Sequence, residues 1–258
     1  MNICEAILRE KRVELHEARS AVPLIELRRR AVDVEPPRPF RLALQRKPIS
    51  IIAEVKKASP SRGVLTDQFD PIVLAKEYEE GGASALSVLT DQKFFQGHKS
   101  TLQAAKAAVH LPVLRKDFII DEYQVYESRV VSSDAILLIV GLLSDSQFSS
   151  LIDCAREVGL EVLVEAHTED DIGRANEYNA DIIGINNRDL RTFEVSLQHS
   201  LNVRRLVRAG AITVSESGIH TREDVSRLRA AGFDAVLIGE RLVTSPNRVH
   251  LLKELLQV

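Results

Sequence analysis

The sequence predicts an α/β fold, a closed (β/α)8 or TIM barrel with an extra N-terminal helical segment, on two observations. First, short apolar runs rich in β-branched residues recur roughly every 20–35 residues, and each precedes a segment with helical spacing. Second, the segments before every second run resemble one another, each a small or polar residue followed by an apolar strand. Alternate strands of a barrel fill the same interior layers, so this repeat favours closure over the alternative, an open doubly wound sheet.

The eight predicted strands are near-continuously hydrophobic. Such strands are covered by helices on one side and filled with side chains on the other. In chain order they are Ile49–Val55, Ala85–Leu89, Pro112–Arg115, Ala135–Val140, Glu161–Glu165, Asp181–Ile185, Ala211–Ser215 and Ala235–Ile238.

Capping residues mark the helix starts that follow these strands. Asp70 and Ser245 each precede a proline, which predicts an N-cap before a proline at the first helical position. Capping boxes, in which the N-cap residue pairs with the residue three positions later, are predicted at Ser100 with Gln103, Ser144 with Gln147, Thr168 with Asp171 and Thr221 with Asp224.

A single domain is predicted, with residues 1–47 as an N-terminal extension and residues 48–258 as the barrel. Residues 2–30 carry apolar positions at helical spacing, and the prolines at 36, 37 and 39 then break the chain before the first strand. A barrel does not require this segment. The pattern alone leaves two interpretations open, a plug in the barrel bottom or a lid over its mouth.

Charge and cysteine content exclude several classes of protein. The 258 residues include 34 Lys and Arg against 37 Asp and Glu, a net charge of −3, so we expect no nucleic-acid partner. Cys4 and Cys154 stand far apart without metal-ligand spacing, which predicts a reduced, cytoplasmic protein without a zinc site. No apolar run approaches the roughly 18–20 residues of a membrane span. The N-terminus also lacks the apolar core of a signal peptide, so no membrane partner is expected.

Charged residues stand at predicted strand ends, where barrel enzymes carry their reactive groups. Glu54 and Lys56 lie two apart on the first strand and therefore point to the same face, as a structural ion pair or as part of a site. Lys116 follows the third strand in phase with its apolar residues, and Glu165 ends the fifth. Two lysines and two glutamates in one dry mouth would provide separate acids and bases near neutral pH.

Glycines after the last two strands predict a phosphate site. Gly218 and Gly239 lie where such barrels bind phosphate, and glycine lets backbone N–H groups approach the anion, although it also makes ordinary turns. The loop at residues 57–63 is rich in donors and could reach the same anion. Among the scattered histidines, His167 alone lies beside a candidate residue. No histidine pair has metal-ligand spacing, so we expect a site without metal or cofactor.

Together these strand-end segments resemble the indole-3-glycerol-phosphate synthase family of tryptophan biosynthesis. The resemblance runs from the N-terminal helical segment to the last helix. Phosphoribosylanthranilate isomerase is similar at the phosphate end but lacks the Glu-x-Lys and Arg-Lys-Asp-Phe combination. The motifs that carry the resemblance are residues 52–61 (IAEVKKASPS), 114–119 (LRKDFI), 163–165 (LVE), 185–190 (INNRDL), 215–219 (SESGI) and 237–240 (LIGE).

The resemblance implies a carbon–carbon lyase that closes the pyrrole ring of 1-(2-carboxyphenylamino)-1-deoxyribulose 5-phosphate, losing CO2 and water without a cofactor. It implies that Lys116 is a general acid at the substrate carbonyl and that Glu165 is the acid/base partner for dehydration. Glu54 would support this network, and Lys56 would contact the anionic groups and donate a later proton. Because burial lowers a lysine pKa, we expect a lowered pKa at Lys116.

The remaining assignments also follow from the resemblance. Asn186 and Ser217 would orient groups, Arg188 would lie near the substrate carboxylate, and the N-terminal helix would act as a lid. The phosphate-binding residues would be Ser59, Gly218, Gly239 and Glu240. The family usually has Phe-x-Gly-Ser after the second strand, and this chain has Phe95-Gln96-Gly97-His98. Phe94 or Phe95 would pack on the anthranilate ring, while His98 either replaces the serine or faces water.

Two alternatives remain open. One is an aldolase in which Lys116 forms a Schiff base with a phosphorylated sugar. The other is a catalytically silent barrel that binds a phosphorylated ligand or associates with other enzymes of the tryptophan pathway. The presence of Glu54, Lys56, Lys116 and Glu165 together favours an enzyme, because ligand binding alone does not require both acids and bases.

Overall fold

The computed structural model describes residues 3–45, 48–60, 62–189 and 192–258. Three sequence-based predictions touch positions outside these residues. They are the helix start at residue 2, the end of the N-terminal extension at Lys47, and Ser61 in the donor-rich loop.

Eight parallel strands form one closed barrel, which confirms the predicted fold. Each strand pairs with its sequence neighbours, and the first and last strands close the ring with Ser50 opposite Ala235. The strands are β1 Ser50–Val55, β2 Ala85–Leu89, β3 Val113–Lys116, β4 Ala135–Ile139, β5 Glu161–Ala166, β6 Ile182–Asn186, β7 Ile212–Glu216 and β8 Ala235–Ile238. The predicted bounds hold to within one residue. At β3, β6 and β7 the extra residue is Lys116, Asn186 or Glu216, so polar side chains end these strands at the barrel mouth.

Helices alternate with the strands and cover the outside of the barrel. Twelve helices are found in the described part of the chain. They are α1 Ile3–Ala21, α2 Leu24–Val32, α3 Phe40–Ala43, α4 Pro71–Glu80, α5 Lys99–Ala108, α6 Glu122–Val130, α7 Asp145–Glu157, α8 Glu169–Glu177, α9 Leu197–Val203, α10 Arg222–Ala230, α11 Glu240–Val243 and α12 Arg248–Leu255. None of them is long and apolar enough to cross a membrane.

Four of the predicted caps are confirmed and two are wrong. The confirmed caps are Asp70, Ser144, Thr168 and Thr221. Helix α5 begins before Ser100, because the His98 ring nitrogen accepts the Ser100 backbone N–H and caps the helix. Helix α12 begins after Ser245, whose hydroxyl accepts the N–H of Asn247 in a tight turn, and Asn247 is the cap.

The helical segment predicted over residues 2–30 is confirmed, and it consists of two helices. Two helices, α1 and α2, are separated at Pro23, which has no backbone N–H to continue the first one. The N-terminal extension then serves both ends of the barrel. At the bottom, Phe40 and Leu44 enter the interior apolar cluster, and the Arg41 backbone N–H donates to Glu161 at the start of β5. At the mouth, α1 lies over the strand ends.

A buried lysine fixes α1 over the mouth. The Lys11 side chain is 2% exposed, and its Nζ lies 2.8 Å from Asp91 Oδ2 after β2 and 3.0 Å from Asp117 Oδ1 after β3. Burial opposes the charge on Lys11, but Asp117 and Asp91 outweigh it and raise its pKa. Asp117 in turn pairs with Arg115, 3.0 Å away. The lid is therefore connected by charge to the residues that flank Lys116.

Replacing this lysine tests its contribution to stability. Lys11→Met leaves Asp91 and Asp117 buried without their shared cation, so we expect a loss of about 3 kcal/mol in the free energy of unfolding. Urea unfolding measures this loss. Arg12→Met, at the next and exposed position of α1, is the matched control. Equal midpoints for the two variants would contradict the anchoring role of Lys11.

Candidate active site

The carboxyl ends of the strands surround a cavity of about 480 Å3 that α1 partly covers. Nearly every candidate residue from the sequence lines this cavity, whereas Phe94 is absent from its described wall. The candidates on the wall are Glu54, Lys56, Ser59, Phe95, Lys116, Glu165, Asn186, Arg188, Ser217, Gly218, Gly239 and Glu240. Ile3, Cys4 and Ile7 of α1 complete the wall, so the lid interpretation holds for this helix.

Lys116 is the centre of the charged side of the cavity. Its ammonium contacts Glu165 Oε2 from β5 and lies 2.7 Å from Glu216 Oε2 at the end of β7. The other Glu165 oxygen, Oε1, accepts hydrogen bonds from His167 Nε2 at 2.8 Å and Asn186 Nδ2 at 3.1 Å. Four barrel segments, β3, β5, β6 and β7, thus meet around the pair of Lys116 and Glu165.

The predicted lowering of the Lys116 pKa is wrong. Burial does oppose the charge, but Glu165 and Glu216 outweigh it, and the pKa of Lys116 lies above its ordinary value. Glu165 is held ionised, because Lys116 and His167 overcome its burial and keep its pKa well below the usual range. Lys116 is therefore an ammonium in the empty site.

The pKa of Glu216 is shifted in the opposite direction, upwards. Burial and the neighbouring Glu165 charge raise the pKa of Glu216 to about 7, against the pull of Lys116. Two carboxylates that share one lysine thus have separated pKa values, so one is ionised and the other titrates near neutral pH. This is the pairing of a base with an acid that the sequence predicted, although it involves a different second glutamate.

Glu216 is the main residue that sequence reasoning missed. It was noted as part of the segment after the seventh strand, but it was given no role. The feature that points to Glu216 is Gly184 in β6, because a Cβ on Gly184 would lie within 2.2 Å of Glu216 Oε1. A larger residue at this position would force the Glu216 carboxylate to shift from its place beside Lys116.

Glu54 and Lys56 form a second charged pair at the mouth, with 2.5 Å between Oε1 and Nζ. Glu54 is buried, and Lys56 is partly exposed to the cavity. A Cβ on Gly239 would lie 2.2 Å from Glu54 Oε1. Gly239 therefore gives this pair room, in addition to any role it has with an anion.

The cavity wall directly after β7 is formed by strained backbone. Ser217 and Gly218 both have positive φ, at 69° and 76°, and for a serine this conformation costs about 1 kcal/mol or more. Asn187 holds the turn by donating to the Ser217 carbonyl. Successive residues of this kind point backbone N–H groups into one concavity, which suits an anion. Across the cavity Arg62 lies 3.3 Å from Glu240.

The opposite side of the cavity is apolar. Phe95 and Phe118 pack with ring centroids 6.1 Å apart, and Leu137 and Ile7 extend this surface. Phe118 follows the Arg-Lys-Asp motif and was not among the candidates, although its position beside Lys116 was a signal. The cavity thus has one face for a flat apolar ring and another for charged groups.

His98 does not take part in the cavity wall. It is exposed, and its ring nitrogen caps α5 instead. This answers the question left by the sequence, since the residue in place of the family serine has a local structural role. Among the described residues, no group of three or more His, Cys, Asp or Glu side chains is arranged to hold a metal ion.

The Glu216 carboxyl gives stability a specific pH dependence. Because its folded pKa is raised above the unfolded value, its favourable contribution is complete below about pH 4.5 and is lost as the pH rises through 7. From pH 5 to pH 8, Glu216→Gln should gain about 2–3 kcal/mol in unfolding free energy relative to the unaltered chain. Urea unfolding at both pH values measures the difference.

Glu223→Gln on the exposed face of α10 is the matched control for the loss of a carboxyl group. A Glu216→Gln difference that is independent of pH would contradict the raised pKa.

Comparison with known proteins agrees with this site. The family profile of indole-3-glycerol phosphate synthase matches residues 4–255. An indole-3-glycerol phosphate synthase from Chlorobium phaeovibrioides is 50% identical over 247 residues, covering 95% of this chain and 96% of the relative. One from Roseiflexus sp. is 47% identical and covers 98% of this chain and 97% of the relative.

Solved structures give the same fold at lower identity. A tryptophan synthase alpha-subunit from Pyrococcus furiosus has a TM-score of 0.61 at 14% identity, covering 81% of this chain and 98% of that structure. An orotidine 5'-phosphate decarboxylase from Pyrococcus horikoshii has a TM-score of 0.60 at 12% identity, covering 79% and 95%. These two similarities concern the barrel alone. With the profile and the close relatives they lead to one conclusion: this chain is an enzyme that belongs to the indole-3-glycerol phosphate synthase family.

Proposed function

We propose that this lyase converts 1-(2-carboxyphenylamino)-1-deoxyribulose 5-phosphate into indole-3-glycerol phosphate, CO2 and water. The observation that carries the proposal is the placement of Lys116 between Glu165 and Glu216, with an apolar ring pocket on one side and an anion concavity on the other. The substrate has a matching layout, with an aromatic carboxylate, a central carbonyl and a phosphate.

In the first step the ring carbon that bears the carboxylate bonds to the substrate carbonyl carbon. The carbonyl oxygen takes a proton from the Lys116 ammonium, and the positive charge of Lys116 stabilises the oxyanion as it develops. The raised pKa of Lys116 ensures that the proton is present before the reaction begins. The packing of Phe95 and Phe118 would hold the ring flat against the carbonyl.

In the second step the bond to the carboxylate breaks, CO2 leaves, and its electron pair restores the aromatic ring. Lys56 and Arg188 line the cavity and would bind the carboxylate until this point. In the third step the new hydroxyl leaves as water after taking a proton from an acid, and a base removes a proton from the carbon beside nitrogen. Glu216 suits the acid, since its pKa of about 7 keeps a protonated fraction, and the ionised Glu165 suits the base.

The phosphate would lie at the far end of the cavity. The backbone N–H groups of Gly218, Gly239 and Glu240 and the Ser59 hydroxyl are the proposed ligands, all of which line this end of the wall. Ser217 and Asn186 are proposed to orient the neighbouring groups.

The aldolase alternative fits less well. A Schiff base requires a neutral amine, and Lys116 is held as an ammonium by two carboxylates. Borohydride trapping with the substrate distinguishes the mechanisms, because a covalent adduct on Lys116 would favour the aldolase.

We further propose that the reaction runs in the cytoplasm, since Cys4 and Cys154 are both thiols. Association with other enzymes of the tryptophan pathway stays a prediction.

Removal of the central ammonium tests the mechanism. Lys116→Ala should lower kcat about 1000-fold or more, because both the proton donor and the charge that stabilises the oxyanion are lost. Indole fluorescence reports product directly, as the chain contains no tryptophan.

Binding of inorganic phosphate should survive in this variant and shows that the barrel remains folded. Lys253→Ala on the exposed face of α12 is the control. A kcat within about tenfold of the unaltered enzyme would contradict the role of Lys116.

A further inference from the structure

His167 is a nearly buried histidine, directly after β5, whose two ring nitrogens both face oxygen acceptors. Its side chain is 11% exposed. Nε2 lies 2.8 Å from Glu165 Oε1, and Nδ1 lies 3.1 Å from the backbone carbonyl oxygen of Arg188. Neither oxygen can donate a proton in return, because Glu165 is ionised and a carbonyl only accepts.

This arrangement decides the protonation state of the ring. A neutral imidazole carries one N–H, so it would satisfy one acceptor and turn a lone pair towards the other. Only the imidazolium donates to both. We propose that His167 is an imidazolium in the resting enzyme and acts as a positioning residue, holding the Glu165 carboxylate in place and tying it to the loop that carries Arg188.

The surroundings of His167 contain charges of both signs. Burial disfavours the imidazolium, but Glu165 outweighs it, and the pKa of His167 is raised. The groups that interact with His167, or with Glu165 beside it, are Lys116 on β3, Glu165 on β5, Asp171 on α8, the Arg188 carbonyl after β6, His199 on α9 and Glu216 on β7. Glu169 and Asp189 act on the neighbouring His199. Burial and the charge on His167 lower the pKa of His199. We therefore expect one positive charge in this pair of histidines, carried by His167.

The consequence for catalysis rests on the proposed function, in which Glu165 acts as the base. Lys116 contacts one carboxylate oxygen and His167 contacts the other, so the plane of the carboxylate is fixed from both sides. The Arg188 backbone N–H also donates to Asn186 Oδ1. The Nδ2 group of the same Asn186 amide donates to Glu165. Loss of the imidazolium proton would leave either Glu165 or the Arg188 carbonyl without its donor. At alkaline pH the Glu165 carboxylate would therefore be held less firmly in position.

Nitrogen-15 NMR of histidine-labelled, full-length enzyme without substrate tests the protonation state. We expect both ring nitrogens of His167 to carry hydrogen at pH 7.5, a full unit above the ordinary imidazole pKa of about 6.5. The signals are assigned by their loss in His167→Gln, and His250→Gln assigns an exposed histidine of α12 as the reference. A bare nitrogen on His167 at pH 7.5 would overturn the proposal. This measurement requires no turnover, so it stands apart from any failure of the proposed reaction.

Kinetics test the positioning role. His167→Gln keeps one N–H for Glu165 but loses the charge, so kcat should fall about tenfold or more with little change in KM. His167→Phe, which has no donor, should fall further. An unchanged kcat in His167→Gln, or a kcat in His167→Phe that is no lower than that of His167→Gln, would overturn the role. If the variants at position 167 do not fold, His→Gln variants at the other six histidines assign the His167 signals by elimination, and the NMR result on the unaltered enzyme still decides the protonation state.

Discussion

The site depends on one constraint, the sharing of a single ammonium by two buried carboxylates. Lys116 alone in this cavity would lose its proton to burial, and Glu165 and Glu216 alone would repel each other. Together they keep the lysine charged, one glutamate ionised and the other poised near neutrality. The acid and base roles therefore follow from the contact of one ammonium with two carboxylates. The closed barrel makes this contact, because it brings the ends of β3, β5 and β7 together.

Other residues at the mouth support this arrangement in two ways. Glycines leave space for the glutamate side chains, and polar contacts hold the end of β3. Gly184 and Gly239 leave room for the Glu216 and Glu54 side chains, so two glycines on different strands serve carboxylates rather than turns. Thr90 and Arg115 bind Asp117, the residue after Lys116, and hold the end of β3 from its outer side. Thr90, Arg115 and Gly184, which are not among the residues of the cavity wall, thus help to fix the active-site charges.

The sequence was sufficient for the barrel because strand and helix periodicity is a local property, repeated eight times. It was also sufficient for most of the wall, since strand ends in a barrel meet at one rim. It was insufficient for the Lys116 pKa, which is raised first by Glu165 and then by Glu216, 49 and 100 residues away in sequence. The caps at Ser100 and Ser245 were wrong for a related reason: His98 and Asn247, two residues away in each case, cap the helices instead, and local motifs do not rank neighbouring candidates.

The two ends of the N-terminal extension are attached to the barrel in different ways. At the bottom, Phe40 and Leu44 enter the interior apolar cluster, and the Arg41 N–H donates to Glu161 at the start of β5. At the mouth, α1 is attached by Lys11 to Asp91 and Asp117, which follow β2 and β3. Any displacement of the cover must therefore separate one buried ammonium from two buried carboxylates, so uncovering the cavity has a direct electrostatic cost.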